Sequence, residues 1–346
     1  MGEIRQPKLL SIGFAVPDAL VLSQEAVMER LGWEAPMTQR IFRNAGISKR
    51  HFAIDPLGKS WQELRDANPK LALQLSMQAV RECFDDRWSG AQLGALVFSS
   101  VTDYNTPALG YYIGRELCVR EDCVFINVEG QGCQSLAPAL QRAYEFWQVH
   151  HEPVLCVNTE LCSTTYFPSD EADREMVVTN ALFGDGAAAV LVGDDPDPLH
   201  PVIVDFQSLY DPRYLDLLGY TWVDGRLRCR LDPRVPEVMP PLIAKAVDLL
   251  LKRNHLRQED VRYWAIHPGG PAILRHTEKL LNLTPDDTWA SWETLREFGN
   301  CSSVTLALIA KRISDQCKDP HGYGVGVTMG AGGACEAMLV RYDEGN

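Results

Sequence analysis

Two stretches of the chain say most about what it can become. "LFGDGAAAVLVG" (182–193) and "GYGVGVTMGAGGACEAMLVRY" (322–342) each read as a Gly-rich turn followed by a strand of small residues. Each would close one half of the 346-residue chain. The pattern predicts a duplicated α/β architecture: two similar halves, each a mixed sheet with helices, packed on each other. The turn-rich "DDPDPLHP" (194–201) is the expected boundary, giving units at 1–194 and 195–346.

The segments between agree with an α/β reading. "LGALVFSS" (93–100), "DCVFIN" (122–127) and "EPVLCVNTE" (152–160) are short apolar runs and read as buried strands. Between the last two, Leu136, Leu140, Ala143 and Trp147 recur on one helical face. Strand, helix, strand implies a parallel crossover. Later, "VRYWAIHPGG" (261–270) reads as a strand into a turn, and "PAILRHTEKLLNL" (271–283) as a helix with Pro at its first position.

Composition excludes several classes. Against 33 basic residues stand 46 acidic ones, a net charge of -13, which argues against nucleic acid as a partner. No run reaches the roughly 18 apolar residues of a membrane span. The N-terminal stretch "MGEIRQPKLLSIGFAVPDAL" lacks a signal-peptide h-region, so a cytoplasmic location is expected. Ten cysteines lie singly, without a C-x-x-C pair, so no metal site is expected and most should be reduced, buried thiols.

Three residues carry the chemical argument. Cys133, in "GQGCQS", falls where a Gly-rich turn meets a helix. A sulfur at the positive end of a helix gains thiolate character. By position alone it could equally be one more buried cysteine. His267 ends a strand in "AIHPGG", at the edge where α/β proteins place ligands. Alone, it reads as well as a surface or core histidine. Asn300, in "EFGNCSSVTLALIAKRI", is locally a loop residue, with Ser302 or Ser303 available to cap the next helix. Taken together they are a nucleophile set. Cys and His pair as thiolate and imidazolium, and an uncharged amide donates a hydrogen bond where a carboxylate would repel a malonyl group and an enolate. Papain-like proteases also order Cys, His and Asn, but their cysteine sits near the mature N-terminus in a different motif.

At these residues the chain resembles the thiolase-fold condensing enzymes, most of all type III polyketide synthases of the chalcone synthase kind. "GQGCQS", "ALFGDGAAAVLVG" (181–193), "HPGGPAIL" (267–274) and "GNCSSV" (299–304) match the family's motifs in the family's order. The resemblance implies a thiolase-like fold, two α/β halves in an αβαβα layering, with the nucleophile in the first half and His and Asn in the second. It implies acyl loading on Cys133, decarboxylation of a malonyl-type thioester, and a Claisen carbon–carbon bond formation giving a β-ketoacyl or polyketide product. His267 and Asn300 would hold the enolate. The substrates would be acyl and malonyl thioesters of CoA or a carrier protein, with no further cofactor, and the enzyme would be a homodimer. Phe183 matches the aromatic gate between tunnel and cavity, Thr165 a cavity-lining residue, and Arg40 an arginine near the CoA phosphates.

Some positions depart from the family pattern. The family's closing G-F-G-P-G-L loop aligns with "GYGVGV" (322–327), putting Val325 in place of the proline that shapes the cavity. Cys229 falls where a second aromatic gate is expected, and Thr106 where plant members place a residue that crosses into the partner. Arg43, Lys49 and Arg50 read as solvated surface charge. The tail "TMGAGGACEAML" reads more like ketoacyl synthase III. The alternative activity is accordingly an acyltransferase that passes the group from Cys133 to an alcohol or amine without decarboxylation.

Overall fold

The computed structural model describes residues 5–317 and 320–342, so the first four residues of the N-terminal stretch read above lie outside it. Its strands are β1 (Lys8–Ala15), β2 (Leu20–Ser23), β3 (Lys49–Phe52), β4 (Ala95–Ser99), β5 (Val124–Val128), β6 (Val154–Glu160), β7 (Gly186–Gly193), β8 (Val202–Tyr210), β9 (Leu218–Val223), β10 (Arg226–Leu231), β11 (Val261–Ile266), β12 (Gly322–Gly330) and β13 (Ala334–Tyr342). The helices are α1 (Gln24–Leu31), α2 (Pro36–Asn44), α3 (Trp61–Cys83), α4 (Leu109–Glu116), α5 (Leu136–His150), α6 (Arg174–Leu182), α7 (Val235–Arg253), α8 (Pro271–Leu280), α9 (Trp289–Phe298) and α10 (Thr305–Gln316). Among the described residues, no helix is long and apolar enough to cross a membrane.

The duplication is visible in strand order. Hydrogen-bonded neighbours run β11-β12-β13-β8-β1-β7-β6-β4-β5. In the first half β4 and β6 are parallel, β6 and β7 antiparallel, and β7 and β1 antiparallel. The second half repeats this: β11 and β12 parallel, β12 and β13 antiparallel, β13 and β8 antiparallel. Among the described residues the second half has no counterpart of β5. The two sets meet at one register pair, Lys8 opposite Val202.

Period-two side-chain alternation divides each strand between two cores. Leu96, Phe98, Leu155, Val157, Ala187 and Leu191 face α3 and α4. Their neighbours Ala95, Val97, Val154, Cys156 and Val190 face α5 and α10 instead. In the second half Trp264, Val327 and Leu339 pack under α7 and α8, while Met338 joins the α5–α10 core. The layers are therefore α3/α4, sheet, α5/α10, sheet, α7/α8. The central pair explains why the helix expected around 134–149 forms: Leu136, Leu140, Ala143 and Trp147 are all buried. Each large side chain so enclosed contributes about 2 kcal/mol.

One expectation changes. Residues 322–327 are not a loop but part of β12, and Val325 is buried opposite Trp264. The turn that precedes β13 is 331–333. At the end of β12 a glycine serves close approach. A Cβ at Gly330 would lie 2.3 Å from the Gln131 carbonyl oxygen and 3.0 Å from the Gln134 nitrogen. The end of β12 thus seats directly against the turn that carries Cys133.

Candidate active site

Cys133 lies in a tight 3-10 turn, Gly132–Gln134, which Ser135 joins directly to α5. Gly132 supplies a positive φ of 59° there. From the opposite face, Thr328 of β12 donates its hydroxyl to the Gln134 carbonyl at 3.3 Å. His267 follows β11 and is pinned through its backbone, its N–H donating to the Val327 carbonyl at 2.8 Å. The Pro-Gly-Gly turn then leads into α8, with Pro271 at its first turn as expected.

Asn300 follows Gly299, whose φ of 72° and ψ of -157° belong to a region essentially reserved for glycine. The Asn300 side chain is fixed at both ends. Its Oδ1 accepts from the Ser302 N–H at 2.8 Å, and its Nδ2 donates to the Gly269 carbonyl at 3.1 Å. An amide nitrogen carries two hydrogens, so one donor remains. The expected serine cap is not made: α10 begins after Val304 with no side-chain cap, and Asn300 holds the 3-10 turn Ser302–Val304 that leads into it. Its backbone also pairs with the gate segment: Asn300 N–H donates to Leu182 O at 2.9 Å and Gly184 N–H to Asn300 O at 3.1 Å. That short parallel bridge sets Phe183 beside Asn300.

These residues converge. Cys133, His267, Asn300, Phe183 and Arg40 all line one cavity of about 490 Å³. A second cavity, about 650 Å³, opens on the other side and is lined by Cys133, Phe183, Tyr220, Cys229 and Ser302. Cys133 and Phe183 border both. Thr165 does not line either one; it lines a smaller pocket behind Cys229 and donates its hydroxyl to the Cys162 carbonyl at 3.0 Å. Val325 borders neither Cys133 cavity, whereas Ala331 and Gly332 of the turn before β13 do border the second. Thr106 is exposed on its loop.

Burial works against the expected ion pair. Cys133, Asn300 and His267 are 9%, 2% and 1% exposed. Burial pushes the Cys133 thiol up to about 12; the Ser302 hydroxyl beside it opposes this and Glu160 adds to it. Burial likewise lowers His267 to about 4. Neither His267 ring nitrogen has a hydrogen-bond partner. Both shifts disfavour the charged forms, the thiolate and the imidazolium. The cause is desolvation, which here outweighs any gain from the nearby helix N-terminus.

The basic run of 39–50 also separates. Arg40 is exposed and lines the first cavity, where it is joined by Arg174, a residue the motifs gave no reason to pick. Arg43 donates to Gln39 and Lys49 faces Glu297 at 3.9 Å. Arg50 is not surface charge. It is 1% exposed and its Nη1 donates to the carbonyls of Asn180 and Phe183, bracing the segment that carries the gate.

Three further residues support the site. Asp185, in "FGDG", accepts from Ser163 N–H at 2.8 Å and Ala53 N–H at 2.7 Å and ties the gate segment to its neighbours. Glu160 ends β6 fully buried, accepting from the Ser303 hydroxyl at 2.6 Å; burial pushes it up to about 7. Ser302, held at a φ of 51°, lies between Glu160 and Cys133. The serines stood in the "GNCSSV" motif and could have been picked; Glu160 had no local signal beyond ending a strand.

Comparison with known proteins agrees with this geometry. The family model described as "Chalcone and stilbene synthases, N-terminal domain" matches residues 57–196, and the corresponding C-terminal domain matches 221–342. A 3,5-dihydroxyphenylacetyl-CoA synthase of Streptomyces toyocaensis is 30% identical, covering 97% of this chain and 90% of its own. A 1,3,6,8-tetrahydroxynaphthalene synthase of Streptomyces peucetius subsp. caesius is 27% identical over 90% of this chain and 85% of its own. Among solved structures, the tetrahydroxynaphthalene synthase of Streptomyces coelicolor A3(2), a bacterial type III polyketide synthase, superposes with a TM-score of 0.89 at 24% identity, covering 98% of this chain and all of that one.

Proposed function

Because the chain belongs to the chalcone and stilbene synthase family, whose condensing enzymes form carbon–carbon bonds by decarboxylative Claisen condensation, we propose that Cys133, His267 and Asn300 carry out that reaction here. The observation that carries the assignment is their meeting in one cavity, from three separate turns, with an exposed arginine in the same lining.

In the loading step the neutral His267 takes the Cys133 proton as the sulfur attacks a thioester carbonyl. The leaving thiolate recovers that proton. The acyl group now occupies Cys133 as a thioester. A malonyl thioester then enters, its carbon–carboxylate bond breaks, and CO2 departs. The electron pair moves onto the thioester oxygen as an enolate. A neutral imidazole has one N–H and Asn300 has its one unused amide N–H, so both can donate to that oxygen. The enolate carbon attacks the acyl-Cys133 carbonyl. A carbon–carbon bond forms, the carbon–sulfur bond breaks, and Cys133 leaves as a thiolate that takes up a proton from solvent to restore the thiol. Loading makes the enzyme an acyltransferase by mechanism. The uncharged amide favours the decarboxylating route over transfer to an alcohol or amine.

Phe183 borders both cavities and acts as the gate between thioester entry and condensation chamber. Arg40 with Arg174 meets the phosphates of a CoA thioester, or those of a carrier-protein arm. Thr165 shapes the pocket next to the condensation chamber. The working form is a cytoplasmic homodimer; β5, one of the sheet's two outer strands, with Val124 exposed, is an edge that a second copy can cover.

The test is CO2 release from malonyl-CoA. Asn300→Ala should lower it by about 10²- to 10³-fold while acyl loading on Cys133 persists. Release unchanged in the variant removes Asn300 from the mechanism. Loading without release in the wild-type enzyme favours the non-decarboxylating acyltransferase.

A further inference from the structure

Arg50 is a cation in a place where a cation is costly. It is 1% exposed, and among the described residues no carboxylate pairs with it. Burial pulls its guanidinium down to about 9, which still leaves it charged at neutral pH. The interior solvates an isolated charge poorly, so a buried one calls for a partner. Nη1 is spent on the Asn180 and Phe183 carbonyls. Nε and Nη2 have none. Those two nitrogens form one side edge of the planar guanidinium, an edge that a carboxylate can grip with both oxygens.

Arg50 lines a cavity of about 80 Å³ that the proposed reaction does not use. Its aliphatic stem is pressed on Gly299: a Cβ there would lie 2.9 Å from Arg50 Cγ and 3.1 Å from Cδ. Gly299 does not line the cavity, whereas Phe52, Asn180 and Phe183, which surround the guanidinium, all do. The charged end of Arg50 is therefore what meets the space. The wall is otherwise mainly apolar, with Leu22, Val27 and Met176. A water needs roughly 10–15 Å³, so a small organic molecule has room. Charge points the same way. The lining holds Arg30, Arg50 and a single acid, Asp55. Asp55 is paired with Arg30, and the two are 43% and 40% exposed. Asp185 is buried but outside the lining, and it accepts from Ala53 N–H and from Ser163. The inner end of the cavity is thus left with an uncompensated cation.

We infer that this cavity binds a small free organic carboxylate, with its two oxygens on the Nε–Nη2 edge of Arg50 and its short apolar body against the wall. The site is separate from the condensation reaction and does not depend on Cys133 as acyl carrier. The ligand supplies the counter-charge that the described residues do not. It also acts on the gate. The guanidinium that would hold the carboxylate already holds the Asn180 and Phe183 carbonyls, so fixing its free edge steadies the segment that carries Phe183.

Butyrate is the probe, butyramide its uncharged isostere, and chloride and phosphate the inorganic anions. Isothermal titration calorimetry of the wild-type enzyme should show saturable butyrate binding. Butyramide should bind at least about tenfold more weakly, the loss expected when a hydrogen-bond partner of a charged group loses its own charge. Chloride and phosphate, without an apolar body, should also bind more weakly. Arg50→Lys keeps the charge but cannot grip two oxygens with one edge, and should weaken butyrate by about tenfold or more. Leu57→Trp narrows the cavity and leaves the Arg50 brace in place, so it should weaken butyrate even if Arg50→Lys does not fold. Cys133→Ala should bind butyrate like the wild type. No saturable butyrate binding would overturn the inference, as would butyramide binding as tightly as butyrate. Inorganic anions binding as tightly as butyrate would remove the organic acid as the ligand. Affinity unchanged in Leu57→Trp, or lost in Cys133→Ala, would place the acid elsewhere. Acyl loading of Cys133, followed separately by mass spectrometry, decides the condensing reaction whichever way the titration falls.

Discussion

The turn that carries Cys133 and the turn that carries Asn300 are the same device used twice. Each follows a glycine with positive φ, each passes through a 3-10 turn, and each feeds one of the two central helices, α5 and α10. The halves repeat strand order and direction, so the two turns arrive from opposite sides at one cavity. What differs is the side chain. The first half presents a sulfur that can form a bond. The second presents an amide and, from the end of β11, an imidazole, which can only stabilise or move charge and protons. A duplicated scaffold thus puts a nucleophile opposite its electrostatic partners.

The comparison is broken most decisively by chemistry. Cys133→Ala should abolish covalent acyl-enzyme, whereas no substitution at Asn300 should do so. Mass spectrometry after incubation with an acyl thioester reads this directly. An adduct that survives in Cys133→Ala would move the nucleophile elsewhere.

A smaller effect separates the two glycines. At Gly299 an added Cβ would lie 2.7 Å from the Leu182 carbonyl oxygen and 2.9 Å from Arg50 Cγ, in a backbone region closed to other residues. At Gly132 the nearest atom would be the Ala331 nitrogen at 3.2 Å. Gly299→Ala should therefore cost about 3 kcal/mol in denaturant unfolding. Gly132→Ala should cost about 1 to 2 kcal/mol. Equal losses would mean that the two turns bear the same load after all.

The smallest effect concerns charge. With Cys133 raised to about 12 and His267 lowered to about 4, the thiolate fraction should be small near neutral pH and grow as pH rises toward the folded-state thiol value. The iodoacetamide rate at Cys133 should then climb steadily through the alkaline range. A plateau already reached below neutral pH would mean that a thiolate–imidazolium pair exists in the resting enzyme, and that the two halves are coupled before substrate arrives.

Much of this was readable along the chain because it is local. Strand alternation, the apolar face of α5, Pro271 at the start of α8 and the glycine motifs depend on neighbours a few positions apart, and those fix backbone conformation. The motifs also pointed to Cys133, His267, Asn300, Phe183 and Arg40, which share one cavity. Contacts between distant segments were not readable. The glycines of β12 looked like a turn, but Gly330 is small because the Cys133 turn presses on it. Arg50 looked like surface charge, and only the packed 180–184 and 298–300 segments enclose it. Glu160 carried no local mark; it gains its meaning from Ser302 and Ser303. Nor could the charge state of the cysteine and histidine be read in advance. Helix position is a property of sequence, but desolvation depends on everything packed around the group, and here it decides the sign of both shifts.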